Sequence, residues 1–326
     1  MRLGVLVPDF HPEMPVDSTL SRRELLRLAT AAAAALAFPT PLLACRRKSH
    51  LHGPGTADTD EERLLSWTEH LRTEGLTKAQ LPLGPRVSRV GELAGGSPYV
   101  PFTLEAYLEH GGAPSAEPLT LSLTRFDCVT LVEACLAVSR VATTEQPASW
   151  DQFGREVERV RYRDGKRLGY SSRLHYFSEW ISDGERRGLV REMGPELGAA
   201  QDTRPLRFMT EHRAKYLALQ DDHVFQEIQR IERGLDSRPR HVVPTKQIPA
   251  IVDRIQTGDV LAFATEIPGL DVTHSALAYR DRERVLRVCH APLSGGVVEI
   301  TRTTLPEYVA AIRRATGILV ARPLLG

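Results

Sequence analysis

Apolar and polar positions divide this chain into a helical first part and a strand-rich last part. Leu64, Leu65, Trp67 and Leu71 fall on one side of a helix starting at Glu61, and 86–93 forms a second before Gly95-Gly96-Ser97-Pro98 breaks it. Val129, Val132 and Leu136, with Leu131, Cys135 and Val138 beside them, repeat at three and four residues. That spacing predicts a core-packed helix starting near Asp127-Cys128, with Thr124 or Asp127 as its cap. Helices are also predicted over 150–161 and 174–182, separated by a polar turn with Asp164-Gly165 at its tip. A charged helical stretch over 205–234 is expected to bury Phe208, Leu217, Leu219, Phe225, Ile228 and Ile231. After Val242 the pattern changes to short β-prone runs at 259–264, 272–279, 285–290, 296–301 and 317–322. Helices first and an antiparallel meander last predict an α+β domain over 61–326, with a helical insert at about 140–240.

The first residues read as a targeting segment. Ser21-Arg22-Arg23-Glu24-Leu25-Leu26 precedes an alanine run and then Pro39 and Pro41, the layout of an export signal over 1–45. The paired arginines resemble a twin-arginine signal. Leu42-Leu43-Ala44-Cys45 resembles a lipobox that would make Cys45 a lipidated residue, the alternative being an ordinary cleaved signal. Met14 is a second candidate start, and 46–60 reads as a polar tether. The expected location is therefore the periplasm or cell envelope, with membrane contact only through the lipid. Beyond the signal no apolar run reaches the roughly eighteen residues of a spanning helix. A net charge of +1 on 326 residues gives no bulk attraction to nucleic acid, and a monomer is expected.

Export changes how the cysteines are read. With Cys45 lipidated, Cys128, Cys135 and Cys289 remain in an oxidising compartment. Cys128 and Cys135 on one helix stand about 10 Å apart, beyond disulfide reach. A Cys135–Cys289 bridge stays open beside two buried thiols. A thiol in a first helical turn meets unpaired N–H groups that favour thiolate, the form that attacks carbonyls. On the local sequence alone, packing in a buried helix is the first explanation of such a cysteine, so the reading turns on a base. Strand alternation places Val272, His274, Ala276 and Ala278 on one face, where the small residues let the cysteine helix approach. Leu286, Val288 and His290 share a face of the next run. Two inward histidines on adjacent strands provide a base and a group that fixes its tautomer.

The order Gly96-Ser97-Pro98-Tyr99, Phe126-Asp127-Cys128, Gly258-Asp259-Val260-Leu261, His274 and His290-Ala291 resembles the NlpC-type cell-wall cysteine peptidases. More closely it resembles their N-acetylmuramoyl-L-alanine amidase-like branch, a domain of unknown function (1460). Tyr162-Arg163-Asp164-Gly165, the run from Ser172 to Trp180, Phe208-Met209-Thr210 and Gly317-Ile318 also match that branch, over about residues 75–326. The resemblance implies a papain-like fold, with the nucleophile helix packed on the late sheet. It also implies Cys128 as nucleophile, His274 as base and His290 as the orienting residue. It puts Tyr99 near the nucleophile, as an oxyanion donor, and leaves Asp127 to shape the turn. The substrate implied is peptidoglycan or a muropeptide, cut through an acyl-enzyme without metal or cofactor. The charged connection Asp281-Arg282-Glu283-Arg284 departs from the family pattern and bears on the register of the histidine strands.

Arg173, His175 and Tyr176 suit either binding of a glycan-peptide or packing beside Leu174, Phe177 and Trp180. His175 and Glu179 lie one helical turn apart, but the fuller ligand set of a zinc amidase is not legible. Three further readings remain. One is an endopeptidase that cuts D-glutamyl–diaminopimelate bonds, and another is a non-catalytic protein that binds wall fragments. The third is an acyltransferase or lipid hydrolase on the same scaffold.

Overall fold

The computed structural model describes residues 59–78, 80–292 and 296–326; the export segment, Cys45 and all of the tether but its last two residues lie outside the described residues. Helix α1, Asp60–Thr73, begins at Thr59, which accepts the Glu62 N–H while the Glu62 carboxylate accepts the Thr59 N–H. Helix α2, Gly84–Leu93, follows, then α3, Cys128–Val141, and α4, Trp150–Arg161, whose cap is a reciprocal Ser149–Gln152 pair. Helices α5, Phe177–Arg186, α6, Asp222–Leu235, and α7, Leu305–Ala311, complete the set used below.

The strands are β1 Val190–Glu192, β2 Ala200–Asp202, β3 Arg240–Pro244, β4 Val260–Thr265, β5 Val272–Arg280, β6 Leu286–His290, β7 Glu299–Ile300 and β8 Ala315–Pro323. They form an antiparallel sheet in the order β2-β3-β8-β4-β5-β6-β7, with β1 also paired to β8. The meander therefore runs from β4 to β7, and the chain then returns through α7 to place β8 on the other side of β4. Every residue of β4 is buried, as its run of Val, Leu, Ala, Phe and Ala requires of a strand covered on both faces. Val260, Ala262, Ala264 and Leu277 pack with α1 to α4 in one cluster. Leu261, Phe263, Ala276, Ala278 and Val288 pack on the other face with Leu305 and Val309 of α7.

The segment 140–240 differs from an all-helical insert. Helices α4 and α5 send Phe153, Val157, Phe177 and Trp180 into the main core, and β1, β2 and β3 extend the sheet. Within 205–234 only α6 is a long helix; 208–220 forms short turns around the aromatic cluster of Tyr170, Tyr176, Phe208 and Tyr216. Asp221 caps α6 by accepting the His223 and Val224 N–H groups, which starts the helix there. Leu217, placed by the pattern in the core, is 54% exposed.

Two glycines let α2 sit on the turn before β4. Gly258 has φ 81, and a Cβ there would stand 2.0 Å from the Gly84 carbonyl oxygen. Further along α2, a Cβ on Gly91 would meet Cys289 Sγ at 2.9 Å, so the helix backbone lies close against the sheet.

Candidate active site

The turn that carries Cys128 is built by main-chain pairing. Tyr99 bridges Phe126 in parallel, Val100 N–H donating to Phe126 O at 2.9 Å and Phe126 N–H to Pro98 O at 3.1 Å. Asp127 is the cap of α3. Its carboxylate accepts the Thr130 N–H at 2.8 Å, and the Thr130 hydroxyl accepts the Asp127 N–H at 2.9 Å. Cys128 is thus the first helical residue, and it is half-buried.

The helix start alone predicts a thiolate, but the surroundings oppose it. Burial first, and then the Asp127 carboxylate, push the Cys128 thiol up to about 11, against hydrogen bonding from Ser275 and from the cysteine's own N–H. The carboxylate that satisfies the helix start also stands beside the sulfur, where it adds to burial, the larger effect, in opposing the dipole. Tyr99 lines the same cavity, where burial, then Cys128 and Asp127, keep its hydroxyl protonated well above its ordinary range.

His274 stands at a bulge. Phe263 pairs with His274 but Ala264 with Val272, so Thr273 is the extra residue of β5. The bulge overturns the simple alternation: Val272 turns to the α3 side, while Ala276 and Ala278 pack on the α7 side. The residue facing α3 beside the histidine is therefore Ser275, opposite Ala262. The His274 ring stacks on Phe263 at 5.7 Å.

The charged connection closes as a turn, Asp281 N–H donating to Val285 O and Arg284 adopting φ 64. Its register pairs Leu277 with Cys289 and Ala278 with Val288. His274 Nε2 lies 2.8 Å from Nδ1 of His290, which is 2% exposed. The Tyr308 hydroxyl reaches the same Nδ1 at 3.2 Å, and His290 Nε2 lies 3.7 Å from Glu299 Oε1. With His274 Nε2–H donating to His290 Nδ1, the remaining nitrogen, His274 Nδ1, carries a free lone pair; this tautomer is assigned from the bonding pattern. Burial, with His290 adding to it, lowers His274 to about 3, and burial lowers His290 to about 4, so both rings rest neutral.

Cys128, His274, Ser275 and Tyr99 line one cavity of about 270 Å³. Arg173, His175 and Tyr176 form part of its wall, but their polar ends are already engaged. Arg173 pairs with Glu105 at 2.6 Å and Glu117 at 3.3 Å, and lies 4.9 Å over the Tyr170 ring. His175 Nε2 is 2.9 Å from Tyr170 O, and burial, then Arg173, hold its ring well below the usual histidine range. The Tyr176 hydroxyl donates to Glu232 at 2.6 Å and accepts the Met209 N–H at 3.2 Å. His175 precedes α5 rather than lying one turn from Glu179 within it, and Glu179 is held by Arg163 at 2.7 and 3.0 Å. The zinc pairing considered from sequence is therefore not formed.

The family described as N-acetylmuramoyl-L-alanine amidase-like matches residues 89–318. This chain belongs to that family. Among solved structures, an N-acetylmuramoyl-L-alanine amidase from Bacteroides uniformis is 30% identical, covering 74% of this chain and 98% of its own, with a TM-score of 0.67. A Bacteroides fragilis protein, described as a proposed xylanase, is also 30% identical over 72% of this chain and 99% of its own, with a TM-score of 0.65. A Legionella pneumophila protein of the domain family 1460 shares the fold at 18% identity and TM-score 0.58, covering 81% of this chain and 94% of its own. No curated protein matches. In this amidase-like chain Ser275, Tyr308 and Glu299 escape sequence reasoning. Each reaches the site through register or helix packing, and no spacing along the chain signals it.

Proposed function

We propose that this protein is an exported cysteine hydrolase that cuts an amide bond of bacterial peptidoglycan, on a papain-like scaffold of the NlpC type. The observation that carries the reading is the alignment of His274 Nε2 on His290 Nδ1 at 2.8 Å, in a cavity shared with Cys128. His274 Nδ1 takes the thiol proton as the Cys128 sulfur attacks the amide carbonyl, forming a C–S bond. The Cys128 N–H and the Tyr99 hydroxyl are the donors for the oxyanion. The imidazolium returns its proton to the leaving amine as the C–N bond breaks, and water then hydrolyses the thioester. His290, backed by Tyr308 and facing Glu299, holds the ring of the base and supports its charge. Cys45 would carry the lipid that keeps the enzyme at the envelope.

The family name favours the bond between N-acetylmuramic acid and L-alanine; the D-glutamyl–diaminopimelate bond is the alternative. Glycosidase chemistry, suggested by the Bacteroides fragilis relative's description, needs two available carboxylates across the cavity. Here Asp127 caps α3, Asp271 accepts the Ser178 N–H and hydroxyl at 2.8 Å, Glu133 is paired with Arg161, and Glu105 with Arg173. Mass spectrometry of purified peptidoglycan treated with wild type and Cys128→Ala tests the reading. Free glycan strands with intact stem peptides are expected from wild type alone. Shortened stems would transfer the reading to the endopeptidase, and unchanged peptidoglycan would leave a binding protein.

A further inference from the structure

We propose that Ser275 is a positioning residue for the nucleophile, its N–H and hydroxyl donating to the Cys128 sulfur once the thiol proton has passed to His274. This rests on the reading of Cys128 as nucleophile and adds a residue to it. Beyond the bulge at Thr273 the ordinary alternation of β5 sets consecutive side chains on opposite faces. His274 faces Phe263 and His290, and Ser275 faces α3, opposite Ala262 of the same core cluster. Ser275 is 1% exposed and lines the cavity beside Cys128. Its hydroxyl is buried and makes no hydrogen bond of good geometry among the described residues.

A buried hydroxyl without an acceptor is costly, and alanine at such a place is neutral or stabilising. The orphan gains an acceptor when the sulfur becomes charged, because a thiolate accepts hydrogen bonds far better than a thiol. The surroundings call for this support. Burial and then Asp127 on the cysteine's own turn stand against the thiolate, while Tyr99 from the loop before α3 and Tyr308 from α7 stay protonated and uncharged, and His274 rests neutral. Hydrogen bonding from Ser275, through both its N–H and its hydroxyl, works in the opposite direction.

The test is the rate of iodoacetamide alkylation at Cys128, followed by peptide mass spectrometry from pH 6 upward on the full chain, with thermal melts alongside. Ser275→Ala is expected to raise the thiol's titration by about one pH unit, leaving roughly tenfold less thiolate at a fixed pH, without lowering the melting temperature. Ser275→Thr keeps a hydroxyl and is expected to follow wild type, whereas Ser275→Val, of the same shape, is expected to follow alanine. The Thr and Val pair reads the hydroxyl even where alanine perturbs packing. Equal alkylation profiles for Thr and Val overturn the inference. Because alkylation needs no substrate, that result leaves the amidase reading intact; activity retained by Cys128→Ala would instead remove the nucleophile on which both rest.

Discussion

At the scale of single residues the site is a neutral thiol beside a neutral imidazole; burial is the first reason for both, and the Asp127 carboxylate adds to it at the thiol. Asparagine caps a helix about as well as aspartate but carries no charge. Asp127→Asn should therefore keep α3 and lower the Cys128 titration, raising alkylation at pH 8 by roughly three- to tenfold. An unchanged rate would show that burial alone holds the thiol up. His290 carries a second prediction. Its folded value of about 4 lies below the unfolded histidine value of about 6.5, so the unfolded chain binds the extra proton between those limits. The stability this neutral ring contributes is present above pH 6.5 and is lost as pH falls towards 4, at about 1.4 kcal/mol per unit. Urea unfolding at pH 7 and pH 5 should show a smaller difference for His290→Asn than for wild type. Equal differences would mean that the ring is not held neutral.

Much of the site was legible at this scale, because Asp127-Cys128 opens a run with clear three-and-four spacing and both histidines stand in alternating runs. The roles of Arg173, His175 and Tyr176 were not legible. Their engagement depends on Glu105, Glu117 and Glu232, which the fold brings from distant segments.

At the scale of elements, the strands with strong apolar patterns, 260–265 and 272–280, were visible in the sequence, and the bulge between Val272 and His274 was not. A bulge changes no residue type; it appears only in how β4 and β5 pair. β1 and β2 were missed because three-residue strands inside a charged segment leave too few alternations to read. The seating of α2 is the element most exposed to a single substitution. Gly258→Ala forces a left-handed alanine, costing about 1–2 kcal/mol, and drives its Cβ into the Gly84 carbonyl. A melting temperature several degrees lower is expected; one within a degree of wild type would mean that the 257–258 turn is free to move away.

At the scale of the whole molecule, the helices fix the sulfur and the sheet fixes the imidazole, and the buried Arg161–Glu133 pair at 2.8 Å ties α4 to the helix that starts at Cys128. Relative motion of these layers would separate thiol from imidazole, so the proposed catalysis would depend on the core as much as on the site. The measurement that tests this account most directly is intact-mass and peptide mass spectrometry of the enzyme, quenched in acid during turnover of peptidoglycan fragments. An acyl adduct on the Cys128 peptide is expected. Its mass should be that of the muramoyl side of the bond, since the L-alanine side leaves as the amine. Cys128→Ala should carry no adduct and release no product. Turnover by Cys128→Ala, or by wild type with an adduct elsewhere in the chain, would contradict it.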